Sequence, residues 1–294
     1  MEIDGVFSGG GMKAIAFVGA IEVMEQEGYK FKNVAGTSAG AIISALLVAG
    51  FKAKDLHQIL TEVDFKKFMD RPQTITLFPF LKWASFYWKM GMFKGDALEN
   101  WMGDLLKKRG IATFGDIEDG TLKIIASDLT RGRIMILPDD LEQYGLNKDQ
   151  FSIAKAVRMS ASIPYFFEPV KIYDRSGMKS VIVDGAVLSN FPIWLFEEKK
   201  KRPVIGFRLS PQLENIPPNI INNAVDMFPA LIETMLHAHD NRYISKKVAE
   251  QIIFIPIDTV RATEFNLSRK EKKQLVEIGR KRAHEFIQKW KGFQ

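Results

Sequence analysis

A serine flanked by two glycines is the feature of this sequence best suited to chemistry. The G-x-S-x-G pattern of Gly36, Ser38 and Gly40 lies between a strand-like segment, residues 29–35, and a helix-like segment, residues 41–49. A serine at such a strand-to-helix turn projects outward, and the glycines permit the tight turn and the close approach of neighbouring backbone. The pattern predicts Ser38 as the nucleophile of a hydrolase.

A glycine-rich loop offers hydrogen-bond donors to the same chemistry. Gly9, Gly10, Gly11 and Met12 follow a strand-like segment and precede a helical pattern over residues 13–26. Accessible N–H groups in such a loop form an anion-binding nest, which suits a developing oxyanion. The same loop also fits the dinucleotide pattern G-x-G-x-x-G/A. That alternative is less favoured, because no acidic residue closes the second strand to hold a ribose.

Histidine is the usual base for a serine nucleophile, but no histidine of this chain has a suitable context. The chain has four, which are His57, His237, His239 and His284. His57 lies in an amphipathic stretch typical of a partly exposed residue. His237 and His239 would point about 200° apart on a helix, so they cannot both face one site. A Ser-His-Asp triad is therefore not favoured.

A carboxylate is the alternative base. Asp184, Gly185 and Ala186 follow a strand-like segment, residues 180–183. An aspartate at the carboxyl end of a parallel strand lies where α/β proteins build their sites. Its ordinary pKa makes it a weak base for a hydroxyl, but desolvation and a direct hydrogen bond to Ser38 would make it adequate. An Asp-Gly turn without any chemical role is the competing interpretation.

The elements that must position these groups alternate between strand and helix. Further strand-like segments cover residues 3–7, 122–127 and 204–209. This alternation predicts an α/β fold with a largely parallel sheet. The sequence has no internal repeat, and its softest boundary is the proline-rich stretch over residues 211–218.

Composition restricts the classes of function. The chain has 294 residues, 46% hydrophobic and 26% charged, with no cysteine, so disulfides and thiolate metal sites are excluded. From Arg269 to Lys291 there are nine Lys or Arg and three Glu, a surplus equal to the net charge of +6 of the whole chain. Because the basic charge belongs to one segment, a general nucleic-acid-binding surface is not expected. Nothing in the sequence indicates a metal or other cofactor.

The apolar runs are shorter than the ~20 residues that span a bilayer, and the N-terminus is acidic where a secretory signal is basic. We therefore expect a cytoplasmic protein, with export by a route without a cleavable signal left open. The oligomeric state is not indicated.

Two segments raise the question of membrane contact. The basic C-terminal segment begins with a capping box, Ser268 to Glu271, and reads as a docked surface helix or as a contact for anionic lipid headgroups. The stretch from Leu77 to Phe93 is crowded with aromatic residues and methionine and has no acidic residue. It is either buried core or an apolar lid that meets lipid.

Taken in order, these blocks resemble the patatin-like phospholipases. The glycine loop, the G-x-S-x-G pattern and the D-G-A sequence all match, as does Ser160-Ala161-Ser162-Ile163-Pro164. The sequence over residues 263–268 is similar to that of bacterial members. The resemblance implies a three-layer α/β/α fold with a mostly parallel central sheet and a C-terminal helical segment. It divides the chain into a catalytic domain, residues 3–210, and a mainly helical extension packed on it, residues 211–294.

The resemblance also implies a chemistry. Ser38 would be the nucleophile and Asp184 the general base of a dyad without histidine. Amides of the Gly9–Met12 loop, chiefly those of Gly10 and Gly11, would form the oxyanion hole. The substrate would be an acyl ester of a lipid, hydrolysed through an acyl-enzyme. The alternative is a catalytically silent lipid- or protein-binding module of the same fold.

Overall fold

The protein has an α/β architecture. The computed structural model describes residues 1–70, 87–197, 202–210, 221, 223, 227 and 246–290. The strands are β1 (Glu2–Phe7), β2 (Lys30–Thr37), β3 (Gly91–Phe93), β4 (Leu122–Asp128), β5 (Arg133–Leu137), β6 (Tyr165–Phe167), β7 (Val170–Tyr173), β8 (Lys179–Asp184), β9 (Val204–Arg208) and β10 (Ile252–Phe254). The α-helices are α1 (Ala16–Gln26), α2 (Ala39–Val48), α3 (Ala53–Glu62), α4 (Asp96–Lys107), α5 (Ile153–Ser160), α6 (Trp194–Glu197), α7 (Lys246–Ala249) and α8 (Arg269–Lys289).

The main sheet has eight strands in the order β10-β9-β1-β2-β4-β8-β7, with β5 also paired to β4. The five strands from β10 to β4 are parallel, whereas β5 and β8 run antiparallel to β4 and β7 runs antiparallel to β8. The second sheet is small and pairs β3 with β6 in parallel. The mostly parallel α/β fold expected from the sequence is confirmed.

The central strands are apolar because helices and loops cover both of their faces. All of β9 is buried, as is β1 after its first residue. Phe7 and Phe207 are register partners on these two strands, and their rings stack with centroids 4.6 Å apart. The end of β1, from which the glycine loop begins, is therefore packed firmly against β9.

The C-terminal helix α8 packs against α1. Ser268 caps it through the predicted capping box with Glu271. The two helices approach so closely that a Cβ on Gly279 would lie 1.8 Å from the carbonyl oxygen of Ala16. Buried Lys272 donates hydrogen bonds to two carbonyl oxygens at the end of α3, which is where a helix favours a cation.

The structure bears on several other expectations. Residues 77–86 of the aromatic stretch lie outside the described residues, while residues 91–93 form β3. The segment after residue 211 contributes β10 to the edge of the main sheet, so it is not helical alone. The domain boundary at residue 210 stays a prediction. No helix within the described ranges is long and apolar enough to cross a membrane.

Candidate active site

Ser38 forms the whole connection between β2 and α2. The strand extends two residues further than the sequence pattern suggested, to Thr37, and the helix begins at Ala39. The backbone of Ser38 has φ 54° and ψ −121°, a conformation that non-glycine residues rarely adopt. Such strain costs of order 1–3 kcal/mol and concentrates at functional sites. The turn leaves Ser38 at the N-terminus of α2, where the helix dipole favours negative charge.

The two glycines of the motif are required by close backbone contacts. A Cβ on Gly36 would lie 2.3 Å from the carbonyl oxygen of Gly40. A Cβ on Gly40 would lie 2.3 Å from the carbonyl oxygen of Phe7, the last residue of β1. Any side chain at either position would push the turn away from the sheet and displace Ser38.

Asp184 reaches Ser38 because two strands meet end to end along β4. Thr37 at the end of β2 is the register partner of Ile125, and Asp184 at the end of β8 is the partner of Ala126. Since β5 occupies the other edge of β4, both strands lie on one edge and approach from opposite directions. The expectation that Asp184 ends a parallel strand is thus wrong. Strand β8 is antiparallel to β4. Asp184 reaches the site because β8 ends on β4 next to the point where β2 ends.

The two side chains are directly hydrogen-bonded. The Ser38 Oγ–H donates to Oδ2 of Asp184 at 2.6 Å, and both residues are buried. The Ala186 N–H donates to Oδ1 of the same carboxyl at 2.8 Å. A Cβ on Gly185 would lie 2.2 Å from the carbonyl oxygen of Ile125, so this position also requires glycine. The D-G-A sequence therefore orients the carboxyl group toward Ser38.

Burial adjusts the acidity of this carboxyl group. Desolvation raises the pKa of Asp184 to about 7, while the hydrogen bonds from Ser38 and Ala186 act in the opposite direction. A carboxylate with this pKa is a far stronger base than an exposed aspartate. It also matches the pKa range in which general bases operate at neutral pH.

Histidine is not part of the described arrangement. His57 lies on α3, and His284 is exposed on α8. His237 and His239 lie outside the described residues. The hydrogen bonds that reach the side chains of Ser38 and Asp184 come from the two residues themselves and from the Ala186 amide.

The glycine loop lies beside Ser38, and its four amides differ in their partners. The Gly9 N–H donates to the carbonyl oxygen of Asn190 at 3.0 Å, and the Met12 N–H donates to that of Ala262 at 2.9 Å. Within the described part of the chain, the amides of Gly10 and Gly11 donate no hydrogen bond. Both glycines have positive φ, 156° and 55° respectively. These two amides are the ones left to bind a ligand oxygen, whereas Gly9 and Met12 anchor the loop at its two ends.

The fold and this site can be compared with known proteins. Residues 5–196 match the model of the family described as patatin-like phospholipase. The chain belongs to this family. The resemblance inferred from the sequence blocks is confirmed, and at the level of the family it supports a lipid acyl hydrolase.

Relatives extend the comparison beyond the family model. The chain is 51% identical over 290 residues to the uncharacterized protein YqhO of Bacillus subtilis, covering 99% of each chain. It is 28% identical over 195 residues to a cUMP-AMP-activated phospholipase of Escherichia coli, covering 63% of this chain and 54% of that one. Among solved structures it resembles VipD of Legionella pneumophila with a TM-score of 0.58 at 17% identity, covering 99% of this chain and 67% of VipD. The last likeness concerns the fold alone.

Ser160 is a site residue to which sequence reasoning assigned no role. Its buried Oγ accepts a hydrogen bond from the Ser38 N–H at 2.8 Å and donates to the carbonyl oxygen of Ile125. It therefore ties the strained turn to the central strand β4. The signal was present in the Ser160–Pro164 block, but only the fold shows which backbone groups this hydroxyl meets.

We expect Ser160→Ala to slow reaction at Ser38 without preventing folding. The substitution leaves a buried N–H without its acceptor, which costs about 1–3 kcal/mol and lets the turn relax. The rate of labelling of Ser38 by a fluorophosphonate should fall at least tenfold, and kcat should fall more than KM rises.

The matched control is Ser44→Ala. Ser44 is a buried serine on α2 whose Oγ makes no hydrogen bond to the described residues. It should label at the parent rate. Equal labelling rates for Ser160→Ala and Ser44→Ala would show that Ser160 does not position Ser38.

Proposed function

We propose that the protein is a serine acyl hydrolase that cleaves acyl ester bonds of lipids through a Ser38–Asp184 dyad. The observation that carries the proposal is the 2.6 Å hydrogen bond from Ser38 Oγ to Asp184 Oδ2, made in a buried turn at the start of a helix. Membership of the patatin-like phospholipase family supports a lipid as the substrate.

Acylation uses the dyad and the free amides of the glycine loop. Asp184 accepts the hydroxyl proton as Ser38 Oγ attacks the ester carbonyl carbon. The carbonyl oxygen becomes an oxyanion, which the amides of Gly10 and Gly11 bind. In serine hydrolases, each such donor stabilises the transition state by roughly 3–4 kcal/mol. The bond from carbon to the leaving oxygen then breaks, and Asp184 returns the proton to the departing alcohol or lysolipid.

Deacylation repeats these steps with water. Asp184 accepts a proton from the water molecule that attacks the acyl carbon, and the same amides bind the second oxyanion. The bond from the acyl carbon to Ser38 Oγ breaks, and the proton on Asp184 restores the serine hydroxyl. The products are a free fatty acid and the alcohol.

A panel of lipids tests the proposal. Phospholipids, lysophospholipids and acylglycerols are incubated with the protein, and the released fatty acids are quantified by mass spectrometry against Ser38→Ala as the blank. We expect at least one class to release fatty acid and its deacylated partner in equal amounts, with the blank at background. No release above the blank from any class or from a simple ester would contradict the proposal.

A catalytically silent binding module of the same fold is the second candidate. The intact hydrogen bond between Ser38 and Asp184 and the raised pKa of the aspartate argue against it, because a silent site has no use for either. Lipid binding without release of fatty acid in the same panel would favour it.

A further inference from the structure

The small second sheet is surrounded by exposed apolar side chains. The exposed fractions are 75% for Tyr87, 74% for Trp88, 55% for Tyr165 and 42% for Met92. Met92 lies in β3 and Tyr165 begins β6, where it is the register partner of Gly91. Tyr87 and Trp88 lie a few residues before β3, and their rings are 5.5 Å apart. We name Tyr87, Trp88 and Tyr165 the aromatic rim.

Two backbone positions at the rim are strained. Three non-glycine residues of the described chain have positive φ, and they are Ser38, Met90 and Tyr165. The value of 65° at Tyr165 is unfavourable for a bulky side chain. Such strain clusters at functional sites. The strained backbone of Tyr165 carries a ring that is more than half exposed, so burial of the ring does not explain the strain.

The rim is connected to the candidate active site by a short, firmly held segment. Ser160 accepts the hydrogen bond of the Ser38 amide, and the carbonyl oxygen of Ser162 accepts that of the Asp184 amide at 2.9 Å. Tyr165 is three residues after Ser162, so their Cα atoms are at most about 11 Å apart. Tyr165, one member of the rim, is therefore close to the candidate active site.

We infer that the aromatic rim docks the protein onto the surface of a phospholipid bilayer and so brings the acyl site to its substrate. This inference rests on the proposed function, because a lipid ester resides in such a surface. Tryptophan and tyrosine combine an apolar ring with a polar group, and they are the side chains that settle at the boundary between lipid and water. An exposed group of this composition is otherwise unfavourable in water.

The charges around the rim specify how it binds. Lys89 is 3.5 Å from Glu168, which offsets its charge, and half-buried Lys94, directly after β3, is followed two residues later by exposed Asp96. Attraction to anionic headgroups therefore contributes little at this surface. Docking by the rim should occur on zwitterionic phosphatidylcholine and should withstand salt. Docking by the basic helix α8 would instead need anionic lipid and would weaken with salt.

The test uses Ser38→Ala protein, which binds without consuming the vesicles. Flotation with phosphatidylcholine vesicles is measured for this protein at low and high salt, and then with Tyr87→Ser and Trp88→Ser added together. We expect binding that is independent of salt and that falls at least about tenfold in the rim variant, since each aromatic ring removed from water contributes about that factor. The control pair, Leu129→Ser and Tyr173→Ser, replaces side chains 50% and 58% exposed on the β7–β8 side of the sheet and should bind like the parent.

Several outcomes would overturn the inference. They are no binding to phosphatidylcholine, equal binding by the rim variant and the control pair, or binding that requires anionic lipid and disappears at high salt. Self-association of the parent that the rim variant loses would assign the surface to a second copy of the chain instead. Because the protein is inactive throughout, these results are independent of whether the parent releases fatty acid.

Discussion

Replacing Ser38 by alanine should abolish ester hydrolysis while leaving the protein folded. The substitution removes the only atom proposed to attack the substrate, and serine hydrolases that lose their nucleophile lose at least about 10⁴-fold in kcat. Alanine also removes the hydrogen bond that opposes the effect of burial on Asp184, so the carboxyl of the variant should hold its proton more firmly. The buried site then carries no new charge. Hydrolysis of p-nitrophenyl esters, together with the melting temperature, checks both expectations.

The matched control for this variant is again Ser44→Ala, which removes the hydroxyl group of another buried serine, one that lies within α2. It should retain parent activity. Hydrolysis by Ser38→Ala at more than a few per cent of the parent rate would mean that another group is the nucleophile.

Replacing Asp184 by asparagine should cost about 10²–10⁴ in rate, the range associated with loss of a general base. The side-chain oxygen of asparagine still accepts the Ala186 amide, so the D-G-A turn should persist. An amide cannot take the Ser38 proton, however. In the parent protein, kcat/KM should rise with pH and level off above about pH 7, because the carboxyl group acts only when deprotonated. The variant should lack this dependence.

The same substitution should stabilise the protein at alkaline pH. The pKa of Asp184 is raised to about 7 in the folded state, so the folded state binds more protons than the unfolded state from about pH 4 to pH 7. The contribution of this group to the free energy of unfolding is present at low pH and is lost as pH rises through 7. Asparagine has no such loss. Relative to the parent, Asp184→Asn should gain roughly 2–3 kcal/mol between pH 5 and pH 8, as measured by denaturant unfolding.

Asp119→Asn provides the matched control for both measurements. Its carboxyl group pairs with Lys148 on the surface, and the hydrogen bond from this lysine lowers its pKa. This variant should keep parent activity, and it should not gain stability as pH rises from 5 to 8. Full activity in Asp184→Asn, or a stability difference that does not change with pH, would remove Asp184 from the role of base.

The sequence was most informative about groups whose environment is local. The turn at Ser38 could be predicted because its glycines are required by contacts within the turn and with the end of β1. The limits of β2 could not, since Gly36 and Thr37 belong to the strand through their pairing with Ile124 and Ile125 of β4, and Gly36 also pairs with Phe7 of β1. An apolar pattern does not record a pairing made 88 residues along the chain.

The pairing of Ser38 with Asp184 was expected from the sequence, but the strand arrangement that produces it could not be predicted. Ser38 and Asp184 are 146 residues apart, and their contact depends on β8 running antiparallel to β4 along the edge that β2 leaves vacant. Nothing in residues 179–184 indicates this direction. In the same way, the partners of the Gly9 and Met12 amides come from Asn190 and Ala262, residues on distant segments. These contacts distinguish the anchoring amides from those of Gly10 and Gly11, which the pattern of three glycines could not do alone.

The most direct test of the proposed roles of Ser38 and Asp184 is covalent labelling of the parent protein by a fluorophosphonate, followed by peptide mass spectrometry. If Ser38 is the nucleophile and Asp184 its base, a single adduct should form on the peptide that carries Ser38, faster as pH rises toward 8 and far more slowly in Asp184→Asn. An unlabelled Ser38 in the folded parent protein, or an adduct on a different residue that accompanies the loss of activity, would contradict these roles.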